Sequence, residues 1–109
     1  MTRMRKSIGR TPMRTLAVLL LMDGMPISSP QIARVLGYRA DMTVRNHIWA
    51  LKRFGCWQIV TSNHRHRLVG LPPDEWLPNL LKEVDTLKRS EWWATRSTYQ
   101  HQLAASRAS

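Results

Sequence analysis

Residues 29–55 read SPQIARVLGYRADMTVRNHIWALKRFG. Ser29-Pro30 pairs a helix cap with a first-turn proline, whose missing N–H costs nothing at that position. Ile32, Ala33, Val35 and Leu36 supply the buried side of a two-turn helix, and Gly37 closes it. After a turn of only about four residues, Asp41 stands where an acid can cap the next helix and meet its free amides. Val44, Ile48 and Leu51 then recur at i, i+4 and i+7, a narrow apolar stripe running toward Gly55. Two helices joined so tightly form a helix-turn-helix arrangement.

Upstream, Thr11 is expected to cap a helix that has Pro12 at its first position. Met13, Leu16, Ala17, Leu20 and Leu21 follow at helical spacing, and Asp23-Gly24 ends the element. Met25-Pro26-Ile27 is short and broken by proline, so it reads as an edge strand or a connector. Downstream, residues 57–61 and 66–71 are β-prone runs around a polar turn at Ser62-Asn63-His64-Arg65, which reads as a hairpin. Pro72-Pro73 punctuates the chain. Pro78 biases Leu77 away from helix, so the last main helix is expected from about Pro78. Leu80, Leu81, Val84 and Leu87 give it an apolar stripe, and Trp92, Trp93 and Tyr99 follow. A small-residue tail from Ala104 is expected to fray. The predicted fold is mostly α with a small β-hairpin: a flexible basic arm over 1–11, a winged helix-turn-helix domain over 12–72, and a C-terminal helical extension over 73–109.

The chain has 109 residues, 17 Lys and Arg against 7 Asp and Glu, and a net charge of +10. That imbalance points to a polyanionic partner, nucleic acid or an anionic surface. Its location is informative. Residues 1–22 carry Arg3, Arg5, Lys6, Arg10 and Arg14 and no acid. Residues 39–71 carry Arg39, Arg45, Lys52, Arg53, Arg65 and Arg67 against Asp41 alone. The other two portions are neutral, so the excess is focused as a binding surface would be. The single cysteine, Cys56, excludes an internal disulfide and a multi-cysteine zinc site. The apolar run from Leu16 to Met22 is far short of the ~20 residues that cross a bilayer. It lacks a small-residue cleavage site after it, so the reading is a cytoplasmic, nucleoid-associated protein and not a secreted one.

Gln31 to Gly37 resembles the first helix and turn of helix-turn-helix proteins, with Ala33 where the helices cross and Gly37 making the turn. Thr43 to Gly55 is similar to the recognition helix of bacterial winged-helix regulators: a Thr-Val opening, aliphatics at four and seven, then basic residues and Gly before the wing. The likeness covers about residues 12–71. Cys56-Trp57 departs from the small aliphatic pair usual at the wing's entry, and residues 72–109 carry no resemblance. What it implies is a winged-helix binder of double-stranded DNA.

Roles follow for individual residues. With Val44, Ile48 and Leu51 turned inward, Met42, Asn46, Trp49 and Arg53 point outward, flanked by Thr43 and Arg45. Met42, Thr43, Arg45 and Asn46 are the expected base-contacting set, since Arg pairs with guanine and Asn with adenine in bidentate fashion; the plainer alternative is a solvated helix face. Arg39, Lys52, Arg53 and Arg67 are suited to phosphates. Asn63, His64 and Arg65 form the expected wing tip, where Arg can enter a narrow minor groove. Arg3, Arg5, Lys6 and Arg10 of the arm either follow a groove or merely raise nonspecific affinity. Trp49 is expected to pack against the wing strand, near Trp57, in preference to contacting DNA sugar. His64 and His66, at i and i+2 of an extended strand, share a side but make a poor metal site without a carboxylate or thiol. His47 is expected to be packed or hydrogen-bonded, and Cys56 to be a small buried residue.

Leu80, Leu81, Val84, Leu87, Trp92 and Trp93 offer more apolar surface than one small domain is expected to hide, which points to a homodimer or partner surface. No cofactor, metal or enzymatic constellation is evident. The expectation is a small bacterial or phage transcriptional regulator acting as a homodimer. The alternatives are a DNA-binding module of a phage replication, packaging or recombination complex, and a protein-interaction factor such as a phage-encoded inhibitor of a host system.

Overall fold

A helix that is apolar on every side has to be buried on every side, and Leu16 to Met22 is an unbroken apolar run. The computed structural model, which describes residues 9–96, places this run in α1 (Arg10–Leu21). Four elements surround α1: the second, third and fourth helices and the last strand. The helix begins earlier than its capping signal. Gly9 occupies the cap position, Arg10 and Thr11 are already helical, and Pro12 falls in the first turn, where its N–H is not needed. The arm expected over 1–11 therefore ends before Arg10. Arg3, Arg5 and Lys6 lie outside the described residues.

The second helix, α2 (Ser29–Leu36), is capped by Ser28 and not by Ser29. The Ser28 hydroxyl accepts from the Gln31 backbone N–H, and the Gln31 side-chain carbonyl accepts from the Ser28 N–H at 3.0 Å, a reciprocal capping box. Gly37 ends α2 in the left-handed region (φ 80°), where a side chain would be strained. The third helix, α3 (Asp41–Arg53), has Ala40 at the cap position with no side-chain cap. Asp41 is its first residue and still places a negative charge at the positive end of the helix.

Three short strands form an antiparallel sheet in the order β1 (Ile27–Ser28), β3 (Arg65–Leu68), β2 (Ile59–Ser62). The hairpin strands are shorter than their β-prone runs. Their register pairs Ile59 with Leu68, Val60 with Arg67, Thr61 with His66 and Ser62 with Arg65. Asn63 and His64 make a two-residue loop with φ of 52° and 62°, the both-positive geometry whose twist matches a hairpin. Ile27 and Ser28 add the edge strand beside His66 and Arg65, just after Pro26, which could not have donated to the ladder.

A short 3-10 turn (Asp74–Trp76) winds directly into α4 (Leu77–Lys88). Leu77 is helical (φ −57°, ψ −43°) despite preceding Pro78. Trp76 is buried and fixes the entry, and Pro78 lies in the first turn, where no donor is lost. The backbone is helical again over residues 91–96.

The order and layering are those of a helix-rich, winged-helix-like fold with one core. That core corrects two expectations about the C-terminal part. Leu80, Val84 and Leu87 are buried together with Leu16, Val18, Ile32, Val44 and Leu51, so residues 74–88 belong to the domain that was expected to end at 72. These three leucine and valine side chains are also spent on α1 and do not offer a partner surface. Trp92 and Trp93 are half-buried against the same core, with ring centroids 6.1 Å apart. Of the six residues expected at a dimer surface, Leu81 alone is exposed, at 51%. The surplus of apolar area read from the sequence disappears because α1 needs a second wall.

Leu80→Ala is expected to cost about 2–5 kcal/mol of stability, as for a fully buried leucine, and Leu81→Ala less than about 0.5 kcal/mol. Urea denaturation of the two variants checks this; equal costs would contradict the packing of α4 on α1.

Candidate functional site

The outward face of α3 is built by what its inward face must do. Val44, His47, Ile48 and Leu51 are buried, which leaves Met42, Arg45, Asn46, Trp49 and Arg53 exposed on the opposite side. The base-contacting candidates Met42, Arg45 and Asn46 are therefore brought together, with Thr43 half-buried on the flank. The Arg45 guanidinium lies 3.3 Å from the Asp41 carboxylate one turn earlier. Both groups are largely solvated, so the pair is worth about 0.3–0.5 kcal/mol and gives way to a better acceptor at little cost. Trp49 does not pack against the wing as expected. It is 62% exposed, and the Arg53 guanidinium sits 5.3 Å from its ring centroid, a cation–π contact that holds both side chains on the outer face.

Two buried histidines lock this helix and the wing in place. His47 lies inside the domain, its Nδ1 2.8 Å from the Thr15 hydroxyl of α1, with Tyr38 edge-on to the ring at 5.6 Å between centroids. His66 stands on the inner face of β3. Its Nδ1 is 2.8 Å from the Thr61 hydroxyl and its Nε2 2.8 Å from the Ser29 hydroxyl. Lys52 Nζ donates to the same Thr61 oxygen at 3.2 Å. A continuous polar chain thus runs from α3 through β2 and β3 to the first residue of α2. Burial, followed by the Arg14 charge, pulls the pKa of His47 below the ordinary 6.5. Burial acts in the same direction on His66, followed by Lys52 and then Arg45. Both rings are neutral near pH 7, each with one nitrogen donating and one accepting. Cys56 is fully buried; burial raises its thiol pKa, against a smaller opposite effect of a backbone hydrogen bond at Gln58.

The shared side expected for His64 and His66 is not found. His64 is exposed in the left-handed turn and His66 is buried on β3, because His64 belongs to the loop and the strand begins only at Arg65. Arg65 and Arg67 alternate with His66 and so project from the outer face of the sheet. There they line a groove with Val60, Ser62, Asn63 and Pro26. Asn63 and His64 are the wing tip, and Arg65 is the first residue of the returning strand. Arg39 is exposed in the turn before α3, and Lys52 is half-buried with one donor already engaged. Arg10 opens α1.

Sequence reasoning did not single out Ser29, Thr61 or Thr15 as the partners that fix these histidines. Nothing local marks them: hydroxyl residues at a helix start or on a strand face are read as caps or surface until the fold brings a ring nitrogen to them. Trp57, expected to open the first β-prone run, lies ahead of β2 and is 75% exposed. No family model matches the chain, and no curated protein or solved structure matches it. No helix among the described residues is long and apolar enough to cross a membrane.

The two lowered histidine pKa values set a sign for pH dependence. The unfolded chain binds protons near pH 6.5 that the folded chain refuses, so stability is fully present above that value and is lost as the pH falls below it. Urea unfolding at about pH 7.5 and about pH 5.5 is expected to show lower stability at the acid end, with a smaller difference in His66→Gln. An undiminished difference in both His66→Gln and His47→Gln would remove these rings as its source.

Proposed function

We propose that this chain is a small bacterial or phage transcriptional regulator that binds double-stranded DNA sequence-specifically, inserting α3 into the major groove. The observation that carries the reading is the exposed set Met42, Arg45, Asn46, Trp49 and Arg53 on one face of a helix whose other face is anchored in the core. Arg45 and Asn46 supply the planar donors and the amide that distinguish guanine and adenine in the major groove. Arg39 and Arg53 are suited to the flanking phosphates, and Lys52 contributes charge from the edge facing the wing. The tip residues Asn63 and His64, with Arg65 behind them, are suited to the neighbouring minor groove. The concentration of positive charge in residues 1–22 and 39–71 supports the same partner. The protein acts by occupancy and carries out no chemical step. A homodimer on a twofold site would not use Leu80, Val84 and Leu87, since α4's buried stripe is committed to α1; Leu81 remains exposed on that helix.

Arg45→Ala or Asn46→Ala is expected to cost about 1–3 kcal/mol on the preferred site and much less on random duplex. Arg53→Ala should weaken both about equally. About six to eight phosphate contacts would give log K a slope near −5 to −7 against log salt. Selection of bound sequences from a random pool, followed by titrations at several salt concentrations, checks all three. A slope shallower than about −2, or equal losses on both DNAs for every variant, would rule out α3 as the reading helix.

A further inference from the structure

On the side of α2 away from its contact with α3, the end of α1, the β1 edge and helical residues 91–96 enclose an open cavity of about 490 Å³. Its walls are largely apolar, with Met25, Ile27, Val35 and Trp92 among them; among the described residues its charged lining is Arg34 and Arg96, with no acidic side chain. The volume lies in the range of small-molecule sites, roughly 300–1,000 Å³. Arg96 is poorly satisfied. Its Nε is buried and has no hydrogen-bond partner among the described residues. Its Nη2 donates to the Met25 sulfur at 3.3 Å, a weak acceptor. A half-buried guanidinium with a buried Nε and a thioether beside it, a second guanidinium along the same cavity and no carboxylate among the described lining residues to answer either, is half of a bidentate pair.

We propose that this cavity binds a small organic acid, an aromatic or branched apolar body bearing one carboxylate. The carboxylate pairs with Arg96, Arg34 adds charge at the α2 wall, and the apolar body lies against Val35, Ile27 and Trp92. An inorganic anion would leave those walls against water, and a neutral apolar ligand would leave the buried Nε unmet. Occupancy would join helical residues 91–96 to α2 through the ligand. The site is separate from the α3 face, and the proposal does not rest on DNA binding.

The test uses the full chain with 3-phenylpropionate as probe and 3-phenylpropionamide as its uncharged match. Nuclear magnetic resonance follows the indole N–H of Trp92, assigned by its loss in Trp92→Phe. Expected are a saturable shift of that resonance with the acid, at least tenfold weaker binding of the amide, and at least tenfold weaker binding of the acid to Arg96→Met. The remaining indole resonances report that the variant is folded. Val35→Phe, which fills the cavity from α2, gives a second variant expected to abolish the shift. Acid and amide binding equally, or undiminished affinity in both variants, would overturn the proposal. So would the absence of a saturable shift up to ~10 mM.

Discussion

Five consecutive residues of α1, Thr15 through Leu19, have no exposure at all. A helix can be in that state only when other elements cover it on every side, and most of the architecture answers that requirement. One side of α1 rests on α2 and α3, another meets β3, and α4 closes what is left. Each buried Leu or Val on α4 contributes roughly 1.5–3 kcal/mol of transfer free energy. Removing α4 would return Leu80, Val84 and Leu87 to water and expose the α1 residues beneath them. The C-terminal helix is therefore a wall of the domain and not an appendage.

Complete burial also dictates where polar groups can sit. Thr15 is at zero exposure, and an unpaired hydroxyl there would be costly; the His47 ring answers it and in doing so pins α3 to α1. His66 does the equivalent for the wing, held between Ser29 of α2 and Thr61 of β2. Short strands give little independent stability, so a hairpin of two four-residue strands owes its position to this chain of hydroxyls, ring and Lys52 as much as to its ladder. The rings stay neutral because burial and the neighbouring cations both oppose a second proton. The positioning of α3 against the wing is thus tied to the protonation of two largely buried side chains.

The outcome is a division of surfaces. The outer face of α3 carries Arg45, Asn46 and the Trp49–Arg53 pair, while Arg65 and Arg67 stand on the outer face of the sheet. The mixed apolar and cationic cavity beside α2 is a third environment, too greasy for a phosphate backbone and too charged to be simple packing. The period-2 alternation of the strand and the 3.6 period of the helix set the outer faces of β3 and α3, while loop residues such as Met25, Pro26 and Asn63 complete the cavity and the groove.

How much of this was legible follows from the range of each signal. Helical periodicity, the Gly37 terminator and the polar hairpin turn are local, and α2, α3, the hairpin and the exposed set Met42, Arg45 and Asn46 could be read from them. Cap positions slipped by a residue: at α2 Ser28 and Ser29 offered competing caps, and at α3 the backbone turns helical already at Asp41, leaving Ala40 at the cap position without a side-chain acceptor. The role of Leu80, Val84 and Leu87 was misread for a physical reason: an apolar stripe states that something must cover it and does not name the cover. The uninterrupted run Leu16 to Met22 held the complementary half of that information. The sequence by itself determined the helices, the wing and the placement of charge, since these depend on neighbours a few residues apart. Only the tertiary structure decided that α4 covers α1, that Thr15 and Ser29 meet histidines 32 and 37 residues away, and that Arg96 reaches Met25, because those pairings exist only once the core has closed.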